Sequence, residues 1–396
     1  MTDHPVLGQV ALGYSPMIDR HRAITALRLT IFPMRPEAPP HAAELLMALG
    51  EVWPADGGRV SLDIVSESLL QALMSAELPL NVMVEVPAFM AGEAQHSAAL
   101  LALHARGTTL LIKGRPLKPL PREVLPCFAY SIVDLADERR DGLPPPGGIT
   151  RTIPHVQAGV RTLVQMTEAF GRSAIAVLGW PIDDSIESAG KAASQPGLQT
   201  IVELMNRVDR EEHVDRLEAL MKNDPTLAFK LMKYINSAAF GLRVEVTSFR
   251  HAIMLLGYQR LKRWLALLLA TASRDANMKP VIYAAVRRGV LMEELGRASA
   301  DEDGRNELFI CGVFSLLDKL MREPFATLLS TIPVPEGVRA ALVDETGPHQ
   351  PYLSLVKAIE SASIHDIRDA ADATLMSVQE VNRAVLRALA AARQFD

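Results

Sequence analysis

At 396 residues the chain is too long for one ordinary core, so two domains are expected. A hydrophobic share of 49% against 22% charged residues excludes general disorder, and a formal charge of -5 excludes a general electrostatic pull toward nucleic acid or an anionic membrane. The only two cysteines, Cys127 and Cys311, lie far apart and outside any C-x-x-C spacing, which argues against a disulfide framework or a cysteine zinc site and fits a reducing cytoplasm.

The opening MTDHPVLGQ has neither a basic start nor an apolar run, so no secretory signal is expected. The longest apolar run, Trp264–Ala270, falls far short of the roughly 20 residues needed to cross a bilayer, and a cytoplasmic protein with no membrane contact is expected. In the first half, strand-like runs are read at Val10–Tyr14, Ala26–Phe32, Val60–Ile64, Val82–Val86, Thr108–Ile112, Ala129–Asp134 and Ala174–Leu178. Helical patterns at His41–Leu49, Glu67–Ala76, Glu93–Arg106 and Gln157–Phe170 fall between several of them. Strands alternating with helices imply parallel βα units, and this number points to a (βα)8-like barrel, complete or shortened. LPPPGG at Leu143–Gly148 reads as a loop.

After Trp180 the polar, small-residue stretch Ile182–Gly197 reads as a linker, and beyond it the patterning is helical apart from a possible strand at Val244–Thr247. The expected division is a barrel over 1–181, a linker over 182–197 and an all-α domain over 198–396. The second half holds the clearest local code. Asp224 can cap a helix that Pro225 opens, Leu227, Leu231, Tyr234 and Ile235 recur at helical spacing, and Gly241 follows the helix. A second helix ends at Gly257, and a third is apolar on nearly every side from Trp264 onward.

Taken together, NDP…NSAAFG with AIMLLG resembles the HDOD domain, and FICGVFSLLD at Phe309–Asp318 resembles a further motif of proteins that combine it with an EAL domain. GYSPMIDRHRAITALRLTIF near the start resembles the opening of EAL-type cyclic di-GMP phosphodiesterase domains. The resemblance implies an EAL–HDOD composite signalling protein: an α+β chain with a degenerate EAL-like barrel and an all-α HDOD domain. Carried over position by position, it places the EAL metal-binding glutamate on Arg28, the next asparagine on Ser61, and a retained glutamate on Glu85. The adjacent aspartates fall on Lys113 and Gly114, and the catalytic lysine on Ile132. An aspartate is retained as Asp134, and the late glutamine falls on Leu178. Nothing matches the E-x-V-E motif. A divalent ion needs several converging oxygen ligands, which positive side chains at two of those places oppose. No cofactor, no metal and no phosphodiesterase activity are expected.

Two readings of the basic strand ends stay open. Arg28, Lys113 and Arg115 could form an anion pocket that holds cyclic di-GMP without cleaving it, or they could be solvated or paired with Glu85 and Asp134. Asn236 and Ser237, late in an apolar helix, are either a recognition point or, as favoured here, a clamp in which Asn236 satisfies backbone groups of the Leu242–Thr247 loop. The His365-Asp366 pair reads as a helix-start feature rather than a metal motif. Tyr283, Arg287 and Arg288 with Glu293 and Glu294 read as a solvated mixed-charge helix face. The short helix, glycine turn and basic turn Gln259–Arg263 imitate a helix-turn-helix, but the apolar run that follows does not suit exposure in a groove. DNA is not an expected partner. The expected function is regulation through contacts with other proteins, with cyclic di-GMP or another nucleotide as the alternative ligand.

Overall fold

A computed structural model describes residues 4–35, 37–38, 40–53, 58–116, 119–140, 153–184, 196–222, 225–236, 246, 248–273 and 275–391. By compactness the chain divides into one unit of 1–184 with 354–390, and another of 185–353 with 391–396. Most of the expected linker, 185–195, lies outside the described residues, as does the LPPPGG loop.

The first unit is built on a closed barrel of eight strands: β1 Val10–Asp19, β2 Ile24–Pro33, β3 Val60–Ile64, β4 Val82–Pro87, β5 Thr109–Lys113, β6 Phe128–Asp134, β7 His155–Ala158 and β8 Ala176–Leu178. β1 is antiparallel to both of its neighbours, and every other pair is parallel. Seven strands stand where the hydrophobic runs predict them. The eighth, β7, corrects the expected Gln157–Phe170 helix: a strand takes its first residues, and the helix begins only at Leu163, capped by Thr162. His155 and Gln157 hid this strand as polar residues in a four-residue run. Both are buried, and they satisfy each other, with His155 Nε2 and Gln157 Oε1 3.0 Å apart and Gln157 Nε2 donating to Val133 O at 2.7 Å.

Side chains alternate across the strands, so one set fills the barrel and the other packs under the surrounding helices. Met17, Ala26, Met83, Leu111, Ile132, Val156, Ala158, Ala176 and Leu178 form the interior cluster. Ile18, Val160, Met166, Ala169, Ala174 and Val177 belong to a separate cluster beneath the Leu163–Gly171 helix. Two-residue periodicity then carries Arg28, Ser61, Asp63, Glu85, Lys113 and Asp134 onto the interior set, near the strands' C-terminal ends. The unit also contains the tail of the Gln350–Ser361 helix and the helices Ile364–Ala373 and Val378–Ala391. His365 and Asp366 lie exposed in the first turn of the second of these, where Asp366 N–H donates to the Ser363 cap.

The second unit is helical, with Pro196–Asp209, Val214–Lys222, Pro225–Ile235, Phe249–Ala270, Lys279–Leu295 and Glu302–Phe314 among its elements. Leu227, Leu231, Ile235, Ala252, Leu261, Leu265 and Phe309 are buried in it. Gly257 breaks the Phe249–Ala270 segment at φ 70°, a left-handed conformation that a side chain makes costly, so the expected two helices meet at a sharp kink. Arg287 and Arg288 depart from the expected solvated face, since both are buried. The Arg287 guanidinium lies 4.6 Å from the Tyr283 ring centre, and Arg288 Nη1 donates to Ser315 Oγ at 3.1 Å. A planar, weakly hydrated guanidinium tolerates such burial where an ammonium would not. Among the described residues no helix is long and apolar enough to cross a membrane.

Candidate functional site

The strand ends converge on a cavity of about 460 Å³ lined by Arg28, Asp63, Phe89, Lys113, Ile132 and Asp134, among others. Its floor is an ion-paired network. Arg28 Nη2 donates to Glu85 Oε2 at 2.5 Å and stands 3.2 Å from Asp63 Oδ2. Lys113 Nζ donates to Asp63 Oδ1 at 2.7 Å, and Ser61 Oγ donates to Glu85 Oε1 at 2.9 Å. The β2–β3 register sets Arg28 beside Ser61 and Thr30 beside Asp63, and Thr30 Oγ1 adds a long bond of 3.4 Å to Asp63 Oδ2. Both carboxylates thus lean on one guanidinium, and the second also holds the ammonium.

Burial sets the electrostatics. The Glu85 side chain is wholly inaccessible, which pushes its carboxyl above the usual range even though Arg28 pulls the other way. Burial acts in the same direction on Asp63, but Arg28 and then Lys113 outweigh it and hold that carboxyl below its ordinary value. Burial opposes the charge on Arg28, yet Glu85 and then Asp63 hold its pKa above the usual arginine value.

The predicted site residues therefore fall into two groups. Arg28 and Glu85 are in direct contact, and Lys113 joins them through Asp63, a residue the sequence reading passed over. Asp63 was visible as the one charged residue in the VSLDI run, two positions from Ser61 and so on the same face. Asp134 lines the cavity without joining the network; its Oδ1 accepts the Ala136 N–H at 2.7 Å. Gly159 makes room for it, because a Cβ there would lie 2.8 Å from Asp134 Oδ1, and its φ of 78° already favours glycine. Arg115 is exposed and does not line the cavity.

The divalent ion that the EAL resemblance implies does not fit this arrangement. The carboxylates that would ligate it are engaged by Arg28 and Lys113, and a cation placed between them would meet the guanidinium. Among the described residues no group of three or more His, Cys, Asp or Glu is arranged to hold a metal ion.

In the helical unit, Asn236, just after the Pro225–Ile235 helix, is bonded to the backbone of Val246. Its Nδ2 donates to Val246 O and its Oδ1 accepts the Val246 N–H, both at 2.8 Å. Asn236→Ala should therefore lower the unfolding free energy by about 1–2 kcal/mol, since two backbone groups lose their partner. An unchanged melting curve would contradict the clamp. Pro225 opens its helix, and Gly257 holds the kink. Asp224, Ser237 and Gly241 lie outside the described residues. The basic turn that imitates a DNA reader is matched by acids of the same unit: Lys262 Nζ to Asp209 at 2.8 Å, Arg263 to Glu293 through two bonds of 2.5 and 2.7 Å, and Arg260 to Glu302 at 3.4 Å.

Comparison with known families settles the second unit. Residues 196–325 match the model of the HDOD domain. This stretch is an HDOD domain. The chain is also similar to the uncharacterized protein YuxH of Bacillus subtilis, 29% identical over 163 residues, 40% of each chain. Cyclic di-GMP phosphodiesterase CdgJ of Vibrio cholerae is 26% identical over 147 residues, 37% of this chain and 34% of that protein. The chain thus spans about two fifths or less of the curated relatives it matches. Among solved structures, the Bacillus subtilis YkuI protein, with an EAL domain and in complex with substrate c-di-GMP and calcium, is 12% identical with a TM-score of 0.31. That match covers 69% of this chain and 71% of that one. The α+β reading holds: a closed eight-stranded barrel is joined to a helical region carrying the HDOD domain.

Proposed function

We propose that this chain is a regulatory protein whose barrel does not hydrolyse cyclic di-GMP and whose HDOD domain works through contacts with other proteins. The reading rests on one observation: the Arg28 guanidinium stands between Glu85 and Asp63, at 2.5 and 3.2 Å. A metal-assisted phosphodiesterase needs oxygen ligands free to converge on a cation that activates water and clamps the phosphate. Here those oxygens neutralise fixed cations. The pairing of Arg260, Lys262 and Arg263 within the helical unit supports a protein partner over a nucleic acid.

The full chain, assayed with cyclic di-GMP and magnesium or manganese, should release no linear product above the enzyme-free control. Turnover that vanishes in Glu85→Gln would sink the proposal. The receptor alternative draws on Lys113, whose side chain keeps 41% exposure while reaching Asp63. Saturable heat on titrating cyclic di-GMP, abolished in Lys113→Ala, would favour that alternative; a flat titration supports the ion-paired reading.

A further inference from the structure

The free edge of β1 shows how the chain's last helices are used. β8 pairs with β1 only at Met17, Ile18 and Asp19. The rest of that edge, from Val10 to Pro16, would offer unpaired backbone groups, yet β1 is buried almost throughout. Four contacts occupy much of this edge. Gly179 N–H donates to Pro16 O at 3.2 Å, and Trp180 Nε1 donates to Tyr14 O at 3.0 Å, with the Tyr14 and Trp180 rings edge to face. Beyond them the side-chain amide of Asn382 takes over: Oδ1 accepts the Leu12 N–H at 3.1 Å, and Nδ2 donates to Val10 O at 2.7 Å. One amide thus does what a peptide group of a neighbouring strand would do, and its second N–H reaches Leu7 O at 2.7 Å.

Asn382 is fully buried, so nothing replaces these bonds if they are lost. Gly13 supplies the close approach. A Cβ there would stand 2.8 Å from Ala362 Cβ and 3.1 Å from Ile359 O, so the turn between the last helices sits directly on the strand. A tight turn joins β1 to β2 with no helix between them, so their cover has to come from elsewhere in the chain.

We infer that 354–390 is the barrel's own outer wall, that the HDOD domain is an insertion between β8 and this wall, and that the wall relays changes in the HDOD domain to the β1–β2 hairpin. The chain enters the insertion just after Trp180, which holds Tyr14, and leaves it through the Gln350–Ser361 helix, which leads to Ala362 and Asn382. Both exits are therefore fastened to the same strand. Its hydrogen-bonded partner β2 carries Arg28, opposite Ser15 in the register. A shift of the wall is thereby delivered to Arg28 in the floor of the cavity. The relay builds on the regulatory reading and extends it by naming the route.

Hydrogen exchange by mass spectrometry on the full chain tests both parts. Asn382→Ala should raise exchange at least tenfold over 10–33 and 354–390, with a smaller rise over 249–321 because coupling between the wall and the HDOD domain is reciprocal. If that variant does not fold, Asn382→Ser retains a hydroxyl and should show the same pattern with a smaller rise. Exchange that rises in 249–321 but not in 10–33 overturns the wall assignment. Leu231→Ala, in the HDOD core, should raise exchange across that domain and also over 354–390 and 10–33. A rise confined to the HDOD domain overturns the relay. Phosphodiesterase turnover would defeat the regulatory reading without altering either exchange pattern, so the two failures are separable.

Discussion

Arg28→Ala is expected to lower the stability of the barrel unit by about 3–5 kcal/mol, the usual cost of removing one partner from a buried ion pair. For a unit of this size that is on the order of 10 °C in melting temperature. The cost arises from what remains. Glu85 would be a wholly buried carboxylate with only Ser61 to satisfy it, and Asp63 would keep Lys113 but lose its second cation. Arg28→Met combined with Glu85→Met should recover part of the loss, because an apolar pair of similar volume avoids the desolvation cost while Asp63 stays paired with Lys113. Thermal melts of the single and double variants provide the check. A single variant as stable as the parent would show that Arg28 is solvated rather than committed to the network.

Asp63→Asn and Glu85→Gln should show opposite pH trends, although the two acids share one arginine. The folded pKa of Asp63 lies below its unfolded value of about 3.9. Its ionisation therefore stabilises the fold above that pH, and the contribution is lost as pH falls through the lower folded value. The penalty of Asp63→Asn, about 3 kcal/mol near neutrality by the buried-pair rule, should shrink on acidification below about pH 4. Glu85 has the reverse sign, because burial raises its folded pKa. Its contribution is complete below the unfolded value of about 4.3 and is lost as pH rises through the folded one. The penalty of Glu85→Gln should therefore be largest in acid and smaller toward neutrality. Denaturant titrations at several pH values measure both slopes, and parallel slopes would contradict the assigned environments.

Local code made the helical half legible. Helix starts, apolar spacing and the Gly257 break act within a few residues of one another, and so the HDOD signature could be read before any contact was known. The strands of the barrel were legible for a similar reason, since Val60–Ile64 and Val82–Val86 announce themselves as short apolar runs. β7 did not, because His155 and Gln157 are tolerated inside through bonds that include those to each other and to Val133, a strand away. Arg287 and Arg288 misled in the same way: their charge suggested solvent, while Tyr283 and Ser315 allow burial.

The sequence by itself determined that bases stand at positions 28 and 113 within strand-like runs, because Arg28 and Lys113 and the apolar residues around them are visible without a fold. Only the tertiary structure decided what those bases do. Asp63 becomes their common partner through strand register, and register depends on pairing residues more than 30 positions apart. Only the fold, too, brings Asn382 to Leu12 across 370 residues and makes the last helices part of the barrel. Local propensity cannot encode such contacts, because their free energy comes from satisfying buried groups that meet only once the chain has closed.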